Sequence, residues 1–174
     1  RETNTPVVSV NVSFYNESPD RRVFPTPTIV MIGYADSYQK LLKSAFSADE
    51  TIILLGKEIN DDSNIGGSLY QRTLYGFIGG EVDKTDAVLE KKLEETIFEL
   101  RDNKLIGGCV DVCEGGLFGA VFEGVRNGST GFKGSLIFCK NEEKALFGEI
   151  TGRYVISTPE IEKTKKILQS RQVQ

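Results

Sequence analysis

Polar and apolar residues partly alternate from Val7 to Phe14, with Val8, Val10, Val12 and Phe14 on one side, which is the period of a half-buried strand. Tyr15-Asn16-Glu17 breaks the alternation. The stretch from Ser18 to Pro27 is polar, and Pro19, Pro25 and Pro27 within it forbid regular helix, so it reads as an extended connector. Ile29 to Tyr34 and Thr51 to Gly56 are short apolar runs closed by glycine at Gly33 and Gly56, the pattern of buried strands. A short helix is expected from Ser68 to Tyr75. A longer one is expected from Asp83 to Asn103, with Leu89, Leu93, Ile97 and Leu100 along one face and Asp83, Thr85 or Asp86 as the cap.

The following strand falls in Lys104 to Val112, and Leu117 to Val125 is apolar and small enough to be a buried helix. Ser135 to Phe138 and Arg153 to Ser157 read as further strands. Thr158-Pro159-Glu160 opens a terminal helix by cap and first-turn proline. Strands and helices therefore alternate, with no heptad and no internal repeat, and the fold class expected is layered α/β. The connector divides the chain. Residues 1–26 read as a terminal strand and connector that belong to something else, and 27–174 as the globular unit.

With 174 residues and 39% hydrophobic content, the chain can bury one core, or one core plus an arm. Charged residues are nearly balanced, to a net charge of -4. No basic field is present to hold nucleic acid or anionic lipid, so neither is expected as a partner. No apolar run approaches a membrane span of roughly 18 residues, and the first residues lack the apolar centre of a signal peptide. Three cysteines and no histidine give no mixed metal site, and free thiols in a reducing compartment account for them. The triplets at Asn11, Asn16 and Asn127 match the glycosylation pattern by chance on this reading. The absence of histidine excludes any Ser-His-Asp or Cys-His site; chemistry here would run on carboxylates, backbone amides and metal.

Two segments carry candidate chemistry. In Val10-Asn11-Val12-Ser13-Phe14-Tyr15-Asn16-Glu17, amide and hydroxyl groups and a carboxylate follow a strand, and strand ends are where ligands meet an α/β sheet. Asn11 offers a neutral oxygen to Mg²⁺ and Ser13 a hydroxyl to phosphate or amide. A plain strand and turn gives the same pattern. In Gly107-Gly108-Cys109-Val110-Asp111-Val112-Cys113-Glu114-Gly115-Gly116-Leu117, glycines entering a helix expose backbone amides that can receive an anion, and Asp111 and Glu114 can place carboxylates on a metal. Paired glycines are also how a tight strand-to-helix turn avoids a clash.

The order NVSFYNE, PTPTIVMIG, a long helix, DVCEGGL and LFGEITGRYVIS resembles the carboxyl-terminal part of phosphoribosylformylglycinamidine synthase. That family's large component shows GNVSLYNE, PTPVIGMVG, HDVSDGGL and LFGES-x-GR in the same sequence. The likeness covers almost the whole chain. DGGL-like and FGES-like elements are shared with aminoimidazole ribotide synthase and its relatives, while the first pair narrows the match. The resemblance implies an aminoimidazole-ribotide-synthase-like C-terminal domain, a sandwich of mixed sheet and helices with partial ferredoxin-like topology.

It also implies a function. The family uses ATP, Mg²⁺ and glutamine-derived ammonia to turn formylglycinamide ribonucleotide into the amidine, in the cytoplasm, within purine biosynthesis. By position, Asn11 matches a Mg²⁺ ligand, Ser13 a substrate contact, and Val10 a glycine whose backbone meets ATP. Asp111 matches a secondary, auxiliary metal position, and Cys113 stands where the family has serine. The implied partners are the rest of the synthase chain, a glutaminase subunit and a small accessory subunit. A piece of this kind is expected to be inactive alone. The competing expectations are a non-catalytic binding or regulatory module of the same fold, and another ATP-using enzyme of the superfamily.

Overall fold

The computed structural model describes residues 5–12, 17–22, 26–57, 64–135 and 141–173. In chain order its elements are β1 (Glu17–Ser18), β2 (Arg21–Arg22), β3 (Thr51–Gly56), α1 (Leu69–Tyr75), α2 (Ala87–Asp102), β4 (Gly108–Asp111), α3 (Gly116–Gly128), α4 (Glu142–Phe147), β5 (Arg153–Thr158) and α5 (Ile161–Ser170), with a short 3₁₀ turn at Tyr38–Lys40. β1 and β2 form only a two-residue antiparallel hairpin.

The main sheet has the order β3-β5-β4, and every pairing among the described residues is antiparallel. The layered α/β class holds; a parallel pairing, which would make the sheet mixed, is not among them. β5 is central, and this explains why five of its six residues are buried. Because side chains alternate across a sheet, the strands serve two cores. Leu55 and Ile156 face α2 and α5, packing with Leu93, Ile97, Leu100 and Leu168. Val110 and Val155 face α3, packing with Phe46, Leu117 and Ala120.

Local chemistry explains the ends of these elements. Asp86 caps α2 by accepting from the N–H groups of Val88 and Leu89 at 3.0 Å each, and Ser68 caps α1 through the Gln71 N–H. α5 departs from its expected start: Glu160 is the N-cap with no side-chain cap, Pro159 precedes it, and the Thr158 hydroxyl accepts from the Glu160 N–H at 3.2 Å and pairs with Thr164 at 2.8 Å, both threonines buried. α3 starts at glycine for steric reasons. Gly116 has φ +65, and a Cβ there would lie 2.6 Å from the Leu146 carbonyl oxygen, so α3 and the end of α4 approach closer than any side chain allows.

The amino-terminal expectations differ. Residues 7–12 form no strand, and Ser13 and Phe14 lie outside the described residues. Ile29 to Tyr34 is not a strand either, and Ile29, Val30, Met31 and Ile32 are 74–93% exposed. Alternation predicts a strand only where a neighbour supplies hydrogen bonds, and no described strand pairs with these runs. Of the expected strand from Ser135 to Phe138, only Ser135 is described, and it is irregular. Helix α4 was not expected from periodicity; it is six residues long and starts on an Asn141 cap.

Candidate functional site

The sheet's chemistry gathers where β4 runs into α3. Asp111 pairs with Tyr154 across the ladder, so both side chains leave the sheet on the α2 side. Glu90 of α2 meets them there: the Tyr154 hydroxyl donates to Glu90 Oε2 at 3.4 Å. Burial, and then the Glu90 carboxylate, push the Tyr154 hydroxyl up to about 12. Cys109, on the same side, is pushed up to about 11 by burial and by Asp111. Asp111 itself is exposed.

One position further along, the opposite side of the sheet is reached. The Val112 N–H donates to the Arg153 carbonyl at 3.0 Å, and Arg153 precedes Tyr154, so its side chain leaves on the α3 side. It is only 3% exposed. Burial alone lowers the guanidinium to about 10. Its Nε and Nη1 have no hydrogen-bond partner among the described residues.

Glu149 ties the neighbourhood together. Its Oε1 accepts from the Leu69 N–H at 2.7 Å and from the Gly115 N–H at 2.9 Å. One carboxylate therefore sits at the starts of both α1 and α3, where helix dipoles favour negative charge. This occupies part of the amide set that the paired glycines made available. Cys113 is exposed, and its thiol is raised, first by burial and then by Asp111, which makes it a poor thiolate. Glu90, Asp111, Cys113, Glu149, Thr151 and Arg153 line one cleft of about 320 Å³ around the end of the sheet.

The other expected site residues stand apart. Val10 is 75% exposed, Asn11 is exposed on the same irregular arm, and Ser13 lies outside the described residues. Neither Val10 nor Asn11 lines the cleft. Among the described residues, no group of three or more His, Cys, Asp or Glu side chains converges to hold a metal ion. Asp111 and Asn11 each offer one oxygen, and the described residues alone do not complete a Mg²⁺ site. Such ions commonly keep waters and take only one or two protein carboxylates beside a bound phosphate.

Sequence reasoning gave no role to Glu149 or Arg153. Both stand in the LFGEITGR motif. The available signal was an arginine opening an otherwise apolar strand, a costly placement unless something specific meets the charge.

Residues 47–174 match the family described as AIR synthase related protein, C-terminal domain. The PurL subunit of phosphoribosylformylglycinamidine synthase from Petrotoga mobilis is 40% identical over 159 residues, which is 90% of this chain and 21% of that relative. The chain thus spans about a fifth of the curated relative's length. In fold, it is similar to a Thermotoga maritima PurL solved with FGAR, with a TM-score of 0.61 and 19% identity over 78% of this chain and 24% of that one. It is likewise similar to the same protein solved with ATP, with a TM-score of 0.56 and 18% identity over 79% of this chain and 22% of that one.

Proposed function

The chain belongs to the AIR synthase related family through its C-terminal domain, and from that premise we propose that it acts as the carboxyl-terminal part of a phosphoribosylformylglycinamidine synthase. The observation that carries this reading is the reach of the likeness. The likeness to the Petrotoga relative covers 90% of this chain, more than the family match at 47–174, so it takes in residues ahead of 47. On this reading residues 1–26 close a preceding ATP-binding domain, and 27–174 form its companion domain.

The whole enzyme would use ATP to activate the amide oxygen of formylglycinamide ribonucleotide, which ammonia then displaces. Positioning and charge neutralisation carry such chemistry, which suits a segment without histidine. Asn11 would give an oxygen to Mg²⁺, Ser13 would contact substrate, and the Val10 backbone would approach ATP. Val10 carries a Cβ where the family has none, so its approach is through the backbone edge. Asp111 would be a secondary metal contact. The ammonia would come from a glutaminase subunit, assembled with a small accessory subunit, in the cytoplasm. Among the described residues no helix is long and apolar enough to cross a membrane.

The test combines this chain with a Petrotoga PurL lacking its matching carboxyl-terminal segment, and follows ATP-dependent amidine formation with ammonium as the nitrogen source. Activity is expected only from the combination, with Asn11→Ala lowering it by at least tenfold. Association with Mg-ATP binding but no turnover would favour the non-catalytic module. Failure to associate at all would overturn the reading.

A further inference from the structure

The outer face of α3 carries a ridge that the rest of the described chain leaves bare. Phe118 and Phe122 stand four residues apart on this helix and are each 56% exposed, while Leu117, Ala120 and Gly124 on its other side are buried. Positions four apart share one face of a helix, and the next steps along the same row are charged: Glu114, just ahead of α3, and Arg126 in its last turn. Both are exposed, and neither joins an ion pair among the described residues. At a helical rise they lie about 18 Å apart, so they do not meet within one chain. Beside the two rings runs a groove of about 330 Å³ lined by apolar side chains alone, Phe132 and Leu146 among them. The aromatic surface continues past Phe118 to Phe147, with ring centres 5.7 Å apart, and on to Tyr70, stacked on Phe147 at 4.4 Å.

We propose that this face of α3 docks a second copy of the chain, in a two-fold pair whose helices cross antiparallel at the level of Ala120. The row of side chains is complementary to itself under such a rotation. Phe118 of one copy meets Phe122 of the other, Glu114 of one meets Arg126 of the other, and each contact occurs twice, as an isologous interface requires. Rows of residues four apart are the ridges that interdigitate in the commonest class of helix packing, and the apolar groove beside them receives the second copy's rings. Opposite charges then close both ends of an apolar centre, a polar rim around a hydrophobic core. A row with the same charge at both ends would repel its own copy instead. Glu114 also borders the cleft at the end of the sheet, together with Glu90, Asp111 and Glu149, and an arginine from the second copy offsets that crowding of negative charge. One helix face with its aromatic flank buries less than the roughly 1,200 Å² of a standard interface, so the pair is a reversible one with a Kd on the order of 10–100 μM. The inference goes beyond the proposed role in a synthase and does not rest on it.

Sedimentation equilibrium of the 174-residue chain, over a range of concentration spanning that Kd, tests it. The wild type should dimerise reversibly. Arg126→Glu sets Glu114 against a like charge twice in each pair and should weaken the dimer at least tenfold, as should Glu114→Arg. Combining the two substitutions restores opposite charges in exchanged places and should return the affinity to within about threefold of wild type. Losses that merely add in the double variant would overturn the pairing, because residues that do not meet across the interface are independent. Phe122→Ser should abolish the dimer and leave the urea midpoint of the monomer unchanged, since its ring is 56% exposed. If Phe122→Ser does not fold, the charge series, made at exposed positions, decides alone. A wild type that stays monomeric throughout overturns the proposal, and two further readings then say what covers the face. A lower urea midpoint for Phe122→Ser assigns the cover to residues of the same chain, and weaker association of that variant with the truncated Petrotoga PurL assigns it to the rest of a synthase.

Discussion

The arm and the body of this chain contain much the same apolar vocabulary and use it in opposite ways. In the body, Leu55, Leu93, Leu100, Val155 and Ile156 are 0% exposed, because β5 is hydrogen-bonded on both edges and covered on both faces. In the amino-terminal stretch made up of the arm and the first few residues after it, Val8, Val30 and Ile32 are 80–93% exposed. Composition does not separate the two regions; partners do. Burying an aliphatic side chain contributes about 1.5–3 kcal/mol, and a strand also needs its ladder satisfied. The body meets both demands within itself, while the arm's residues meet neither among the described residues.

The largest effect should therefore come from the body. Leu93→Ala removes a fully buried side chain from the core between α2, α5 and the sheet, and should destabilise the chain by about 2–5 kcal/mol in urea unfolding. If it proved neutral, the body would not be a close-packed unit and the contrast with the arm would collapse.

Next in size is Glu149→Ala. It leaves the Leu69 and Gly115 N–H groups without their carboxylate, and hydrogen bonds to a charged group contribute roughly 1.5–3 kcal/mol. A loss of about 2 kcal/mol is expected, with Glu149→Gln recovering part of it. Faster amide hydrogen exchange at the starts of α1 and α3, with α5 unchanged, would place the loss there.

How far these features could be read from the sequence follows the same division. Thr51 to Gly56 matches β3 residue for residue, and Asp86, one of three caps offered for the long helix, is the one used. Those signals are local: an apolar run closed by glycine, and an acidic cap before an amphipathic face. The expected strand at Ile29 to Tyr34 failed because pairing is not local. Glu149 and Arg153 escaped for a related reason, since their roles depend on helix starts and ladder register contributed from elsewhere: Leu69 lies 80 residues from Glu149. The resemblance in motif order pointed to the family, and the family match covers 47–174.

A smaller, pH-dependent effect should come from the two loops that flank α1. Asp83 accepts from Lys57 Nζ at 3.1 Å and from the Asn64 backbone and side-chain amides at 3.0 and 3.1 Å. Burial raises its carboxyl, but the Asn64 backbone bond and Lys57 outweigh this and hold it below 3.8. A depressed folded-state value contributes stability that is fully present above the unfolded value, near 3.9, and lost as pH falls through the folded one. Wild type should therefore lose stability more steeply than Asp83→Asn as pH falls below about 4. Parallel acid limbs for the two proteins would sever these loops from the body's account.

The smallest expected effect is the most discriminating. Val7→Ser with Val8→Ser changes two arm side chains that are 80% and 90% exposed. On the chain alone it should move stability by no more than about 0.5 kcal/mol, as surface substitutions do, and Leu93→Ala supplies the contrast. In the combination with the truncated Petrotoga PurL, the proposed function gives these residues a covering surface. The same double variant should then weaken association at least tenfold, read by analytical ultracentrifugation. Exposure in one setting and burial in the other is what separates an arm that completes a neighbour from a tail that is merely solvated. A double variant that associates as tightly as wild type would make the arm a tail and leave the body as the only part of this chain with a packed role.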